Sequence, residues 1–244
     1  MTGWHYGPML GFDIESTGTD VEQDRIVTAA LVWVHGPKVE LQSWLINPGV
    51  PIPEGATAIH GITDEMAAEG DSPADVLPII AAAIMDYLDQ QLPVVAFNAC
   101  FDLTMLDREL RRHMAGSVEP AGYALMDPAD VRPVIDPFVI DRALDKYRKG
   151  KRTLDVMCKH YRVPFEGEGH TADADAFATL RLAWRLAEVW NLGDMDLAEL
   201  TDKQAGWHRE RQEDYAAYLR REGKDDSEVN ASWPIIPRPH LVSR

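Results

Sequence analysis

At 244 residues and 45% hydrophobic composition, the chain can form one large domain or two small ones around a sizeable core. Its formal net charge of −16 argues against tight, non-specific binding to duplex nucleic acid, because phosphate contacts draw on clustered Lys and Arg. No run approaches 18 apolar residues, and Met1-Thr2-Gly3-Trp4-His5 has neither the basic start nor the apolar core of a signal peptide, so a soluble, cytoplasmic protein with no membrane partner is expected.

Apolar Met9-Leu10-Gly11-Phe12 predicts a first strand that runs into Asp13 and Glu15. In a strand these two acids share a face, roughly 6.5 Å apart along the backbone, close enough for one cation to touch both. Residues 25–34 form a nearly unbroken apolar run and 39–46 alternate, with His35-Gly36-Pro37-Lys38 as the hairpin turn between them. The proline-rich residues 47–53 exclude regular structure, and a long excursion through Ile59-His60-Gly61-Ile62-Thr63 follows. Ser72-Pro73 starts a helix with Leu77, Ile80, Ile84 and Leu88 on one stripe, ending near Gln90.

A buried strand at 93–97 then leads into a helix with apolar Leu103, Leu106 and Leu110 and with Asp102 in its first turn. Residues 114–132 read as irregular. Val134-Ile135 is a last short strand, followed by helices through Val139, Ile140 and Leu144 and through Leu154, Met157, Cys158 and Tyr161. Glu166-Gly167-Glu168-Gly169 reads as a flexible loop delivering His170 to the head of a helix striped by Ala176, Phe177, Leu180, Ala183, Trp184 and Ala187. A charged helical pattern covers 197–221, either packed across the domain or offered to a partner, and the proline-bearing tail from 224 is expected to be extended or disordered. Cys100 and Cys158, in no Cys-x-x-Cys spacing, read as reduced core residues.

Three separated segments carry the chemistry: Phe12-Asp13-Ile14-Glu15, Phe97-Asn98-Ala99-Cys100-Phe101-Asp102 and His170-Thr171-Ala172-Asp173-Ala174-Asp175-Ala176. Each alone has an ordinary reading, as solvated strand-end acids, a first-turn helix acid favoured by the dipole, or a His in a Gly-rich loop. In this order, with Ile59-His60-Gly61-Ile62-Thr63 and Thr153-Leu154-Asp155-Val156-Met157-Cys158 as supporting stretches, the chain over roughly residues 7–190 resembles the DnaQ-like, or DEDDh, 3′-to-5′ exonucleases. That is the family of the polymerase III proofreading subunit, RNase T and oligoribonuclease.

The resemblance implies an α/β, ribonuclease H-like fold: a central mixed five-stranded sheet, three antiparallel strands then parallel ones, flanked by helices. It implies an exonuclease domain over 1–190, a C-terminal helical extension over 191–222 packed on it, and a tail over 223–244. It makes Asp13, Glu15, Asp102 and Asp175 the metal-binding acids for two Mg²⁺ or Mn²⁺ ions, hard cations suited to oxygen ligands, and His170 the general base. Ser16, Thr17 and Gly18 continue the first motif toward the terminal nucleotide, or form an ordinary turn; Asn98 and Phe101 are kept from the second motif, and His60 either approaches substrate or stabilises a turn. Phe97 departs from the family pattern, which has a histidine there, so altered packing or substrate contact is expected rather than lost chemistry.

The implied activity is metal-dependent hydrolysis at single-stranded 3′ ends, DNA preferred over RNA, with a polymerase as one candidate partner. An RNA-trimming exoribonuclease and a non-catalytic nucleic-acid-binding module are the alternatives. Residues 142–152 carry Arg142, Lys146, Arg148, Lys149, Lys151 and Arg152 against the single acid Asp145, either a solvated basic face or a guide for the substrate strand.

Overall fold

In the computed structural model, which describes residues 2–114, 130–165 and 171–237, the first three elements are the strands β1 (Met9–Ser16), β2 (Ile26–His35) and β3 (Lys38–Leu45). β2 pairs antiparallel with both neighbours, and Gly36, at φ +60°, occupies the left-handed turn position between β2 and β3. The excursion after residue 53 contains two short helices, α1 (Glu54–His60) and α2 (Asp64–Ala68), where the sequence indicated only a connection. Local capping explains them: Gly61 ends α1 in the left-handed region at φ +77°, and the Thr63 hydroxyl accepts the Met66 N–H at the head of α2.

Helix α3 (Pro73–Asp89) precedes strand β4 (Val94–Val95), helix α4 (Ala99–Met114), strand β5 (Val134–Ile135) and helices α5 (Pro137–Leu144), α6 (Leu154–Tyr161), α7 (Ala172–Val189) and α8 (Leu197–Arg221). The sheet order is β3-β2-β1-β4-β5, with β4 parallel to β1 and β5 parallel to β4, so β1 is central. Among the described residues no helix is long and apolar enough to cross a membrane.

The period of two in β1 sorts its side chains between two cores. Leu10, Phe12 and Ile14 pack with Leu77, Ile80 and Ile84 of α3 and Leu103 and Leu106 of α4. Met9 packs on the opposite face with Leu180 and Ala183 of α7 and Met157 of α6. On that same face Gly11 lets α7 approach: a Cβ there would stand 2.8 Å from Leu180 Cδ1 and 3.0 Å from the Ala176 carbonyl oxygen. The absence of a side chain at residue 11 therefore seats the N-terminal turns of α7 directly over β1.

Helix α8 closes the open edge of the sheet. The Gln204 carboxamide accepts the Asp136 N–H at 2.7 Å and donates to the Val134 carbonyl at 2.9 Å, satisfying backbone groups that an edge strand would leave bare. Residues 224–237, expected to be extended or disordered, run irregularly back along α4. Trp233 and Ile235 enter the core, the Ile236 N–H donates to Thr104 Oγ1 at 3.0 Å, and Arg108 Nη2 donates to the Ile236 carbonyl at 2.9 Å. Arg108 is buried beneath this cover, as are its neighbours Asp107, paired with Arg108 and Arg111, and Glu109, whose carboxylate accepts the Ile26 N–H of β2. Residues 238–244 and 115–129 lie outside the described residues.

The basic run at 142–152 is not one solvated face. Arg148 and Arg152 turn inward onto the fully buried Asp141 carboxylate, which Tyr161 also meets through its hydroxyl at 2.7 Å. Lys146, Lys149 and Lys151 remain exposed.

Candidate active site

The site forms where β1 meets the first turns of α4 and α7. Asp13 and Glu15 leave β1 on the face that Gly11 opens to α7, and Asp175 lies one turn into that helix. One carboxylate oxygen from each of these three residues lies within 4.8 Å of the others. Asp102, in the first turn of α4, arrives from the other side: its Oδ1 accepts the Ile14 N–H at 3.2 Å, which ties it between Asp13 and Glu15.

Crowding and burial set the electrostatics. Burial and then the charges of Asp102, Asp175 and Glu15 push the Asp13 carboxyl well above the usual carboxylate range. Asp102 is likewise pushed up, chiefly by burial and with Asp136 and Glu15 adding to it, against the pull of backbone N–H groups from Asp102 itself and Ile14. Acids crowded in this way hold protons that a cation of high charge density displaces. The donors that converge are all hard oxygens, a set that fits a divalent cation such as Mg²⁺ or Mn²⁺.

The remaining predicted positions divide. His170 lies outside the described residues. Thr17 is buried with its hydroxyl committed to Asp24 Oδ1 at 2.9 Å and to the Arg25 N–H, while Ser16 donates to the Gly18 carbonyl, so this stretch is a self-bonded turn at the rim of the site. Gly18 is required there because a Cβ would fall 2.4 Å from an Asp24 carboxylate oxygen. His60 is buried, its Nδ1 accepting the Ile62 N–H at 3.1 Å, and burial lowers its pKa against the pull of the Ser16 carbonyl. It is thus both a turn-stabilising residue and a neighbour of the first motif. Asn98 is exposed in the left-handed region at φ 59°, a conformation Asn tolerates, and Phe101 is half-buried one residue before Asp102. Phe97 packs edge-on against Phe138 at 5.6 Å between ring centres, an apolar contact in place of the family's histidine.

Asp136 was missed in the sequence and governs the site from behind. Fully buried, its carboxylate accepts the N–H groups of Asn98 and Ala99, each at 3.0 Å, and those of Phe138 and Val139 at 2.9 and 3.4 Å. One side chain therefore caps the heads of α4 and α5 and fixes the turn that carries Asp102. Burial pushes its pKa up to about 6 against these four donors. The available signal was Asp136-Pro137, an N-cap residue followed by proline at the first helical position.

A family model described as "Exonuclease" matches residues 10–183, which contain the whole carboxylate cluster. The chain belongs to the exonuclease family. Among its relatives are a DNA polymerase III PolC-type protein from Lacticaseibacillus paracasei, 33% identical over 176 residues, and a DNA polymerase III subunit epsilon-like protein from Rhodobacter capsulatus, 31% identical over 180 residues. Each match covers 72% of this chain but only 11% and 23% of those proteins' lengths. Among solved structures, Exonuclease X in complex with 5′ overhanging duplex DNA matches at a TM-score of 0.55 and 24% identity, covering 79% of this chain and 99% of that one. E. coli Exonuclease I in complex with a dA16 oligonucleotide matches at 0.57 and 22%, covering 83% and 44%. At these identities the structural matches establish the exonuclease fold, the five-stranded mixed sheet flanked by helices.

Proposed function

We propose that this chain is a metal-dependent 3′-to-5′ exonuclease acting on single-stranded ends, DNA preferred over RNA, and releasing nucleoside 5′-monophosphates. The observation that carries this reading is the convergence of Asp13, Glu15 and Asp175 within 4.8 Å, with Asp102 tied to the same strand. The DNA preference and a polymerase partner rest on the DNA polymerase III names of the relatives. The exonuclease unit is residues 1–190, with the helical extension 191–222 and the tail completing it through Gln204, Trp233 and Ile235.

In this mechanism Asp13, Glu15, Asp102 and Asp175 are the residues that would hold two divalent cations. When bound, such cations compensate the charge developing on the attacking and leaving oxygens. The residues do the rest. Asp102, anchored by the Ile14 N–H on one side and by the Asp136-capped helix head on the other, keeps its carboxylate from swinging away as charge redistributes. His170 takes a proton from the attacking water at a ring nitrogen. The Ser16-Thr17-Gly18 turn, His60, Asn98 and Phe101 surround the terminal nucleotide.

Digestion of a 5′-labelled single strand in Mg²⁺, in Mn²⁺ and in EDTA tests the reading. Stepwise shortening from the 3′ end with either ion, and none in EDTA, is expected; intact strand with both ions would overturn it. His170→Ala is expected to lower turnover by about 10² to 10⁴ while leaving metal binding in place, the contribution of a positioned base. Matched DNA and RNA oligonucleotides separate the exoribonuclease alternative.

A further inference from the structure

A pocket of about 350 Å³ between α5 and α8 gathers Arg142, Lys146 and Arg211 with the acids Glu210 and Asp214 around Phe138 and Trp207. Its two arginines sit over one aromatic ring: the Arg142 and Arg211 guanidinium carbons lie 5.1 and 5.6 Å from the Phe138 ring centre. Arg148 and Arg152 next to them are paired with Asp141, and Arg148 with Asp145 as well, whereas among the described residues Arg142 and Arg211 form no ion pair, although Glu210 and Asp214 also line the pocket. Arg142 Nε is buried with its donor unused. Burial and then the neighbouring arginines depress the pKa of both groups, for Arg142 against the opposing pull of the Asp141 carboxylate.

Three cations against two acids leave the pocket net positive in a chain of net charge −16, which suits an anion. Planar guanidiniums, one with an unused Nε donor, suit phosphate, and the half-buried Trp207 ring that lines the same pocket suits a stacked base. The pocket is also joined to the candidate active site. Phe138 meets Phe97, and the Phe138 N–H shares the Asp136 carboxylate with Asn98 at the head of the helix that bears Asp102.

We propose that this pocket holds a backbone phosphate and its adjoining base from the substrate strand, upstream of the nucleotide being removed. The proposal rests on the exonuclease reading and extends it: the carboxylates engage the 3′ end, and Arg142 and Arg211 grip the strand behind it, which makes affinity depend on strand length. Phe97, where the family's pattern has a histidine, continues the aromatic surface between the two sites.

Fluorescence anisotropy of labelled dT12 and dT2 in Ca²⁺ tests this on the full chain, comparing wild type with Arg142→Gln, Arg211→Gln and the exposed Lys146→Ala, each checked by melting temperature. Removing either arginine is expected to weaken dT12 binding about tenfold, as for a hydrogen bond to a charged group, and to weaken dT2 binding much less. The slope of log affinity against log salt for dT12 should flatten by about 0.7 for each charge removed, Lys146→Ala included. Equal losses for dT12 and dT2, or no loss for either, would overturn the proposal. Thymidine 5′-monophosphate as competitor distinguishes the source of the phosphate: if it binds wild type, is lost in both Gln variants, and dT12 affinity is unchanged, the pocket is a mononucleotide site and the strand assignment is wrong. Because binding is read without turnover, a protein that fails to hydrolyse but loses dT12 selectively defeats the exonuclease reading and leaves the pocket standing.

Discussion

Two acidic centres in this molecule are built from the same residue types with opposite electrostatics. Asp141 is fully buried and its carboxylate meets Arg148, Arg152 and the Tyr161 hydroxyl. Asp13 and Asp102 are pressed instead against other carboxylates, and both are pushed toward the protonated form. A buried acid that serves the fold is neutralised by the protein's own cations, because an uncompensated buried charge costs several kcal/mol. Acids left to crowd one another store that unfavourable energy, and a divalent cation bound only by the native state releases it. The difference separates a structural acid from a candidate ligand more sharply than either residue's burial does.

The comparison breaks most decisively if the two centres respond alike to mutation. Asp13→Asn is expected to reduce turnover by about 10³-fold, equivalent to about 4 kcal/mol of transition-state stabilisation, while the metal-free protein melts no lower than wild type. A parallel loss of melting temperature in EDTA would place Asp13 with Asp141 as a structural group. Asp141→Asn should do the reverse and destabilise the fold by about 3–5 kcal/mol in urea unfolding, since it leaves the buried Arg152 without its counter-charge. Stability near wild type would show that water or another group compensates it.

A smaller effect is expected at Asp136, whose carboxylate accepts four backbone N–H groups. Asp136→Asn presents a donor to one of those N–H groups and should cost about 1–3 kcal/mol of stability. As a positioning residue behind Asp102, it should also lower kcat at saturating substrate while leaving KM nearly unchanged. An equal rise in KM would indicate general loosening of the site.

The pH dependence of the metal-free protein sharpens the contrast further. With folded-state pKa values above their unfolded ones, Asp13 and Asp102 bind more protons in the native state, so their contribution to stability is fully present at low pH and is lost as pH rises through the raised values. In EDTA the melting temperature should therefore fall as pH rises above the ordinary carboxylate range, with a shallower slope in Asp13→Asn, and saturating Mg²⁺ should offset the loss at the upper end. An identical slope in wild type and variant would sink this account. The smallest signal is expected from the thiols. Burial pushes both Cys100 and Cys158 up to about 12, so a thiol reagent at pH 8 should label neither until the protein is unfolded.

Much of this was readable in the sequence because it depends on short-range periodicity. Alternation through residues 9–15 set the face on which Asp13 and Glu15 stand, the stripe from Leu77 to Leu88 set α3, and the ordered motifs named the exonuclease family. Spacing along a strand or helix translates directly into direction in space, and the chemistry of carboxylates needs only that they share a direction.

What the tertiary structure alone decided involves partners distant in the chain. Thr17 reads as facing the terminal nucleotide or as part of an ordinary turn, and only the fold shows that Asp24 takes its hydroxyl; the basic run at 142–152 reads as one face until Asp141 draws two arginines inward. The tail's prolines suggest a loose end, yet Trp233 and Ile235 enter the core and the Ile236 carbonyl accepts from the buried Arg108. Arg142 and Arg211, 69 positions apart, share one phenylalanine only because α8 folds back across the sheet edge. Local pattern determines which way a side chain points; the packing of remote segments determines what it meets there, and therefore whether its charge is neutralised or left to bind.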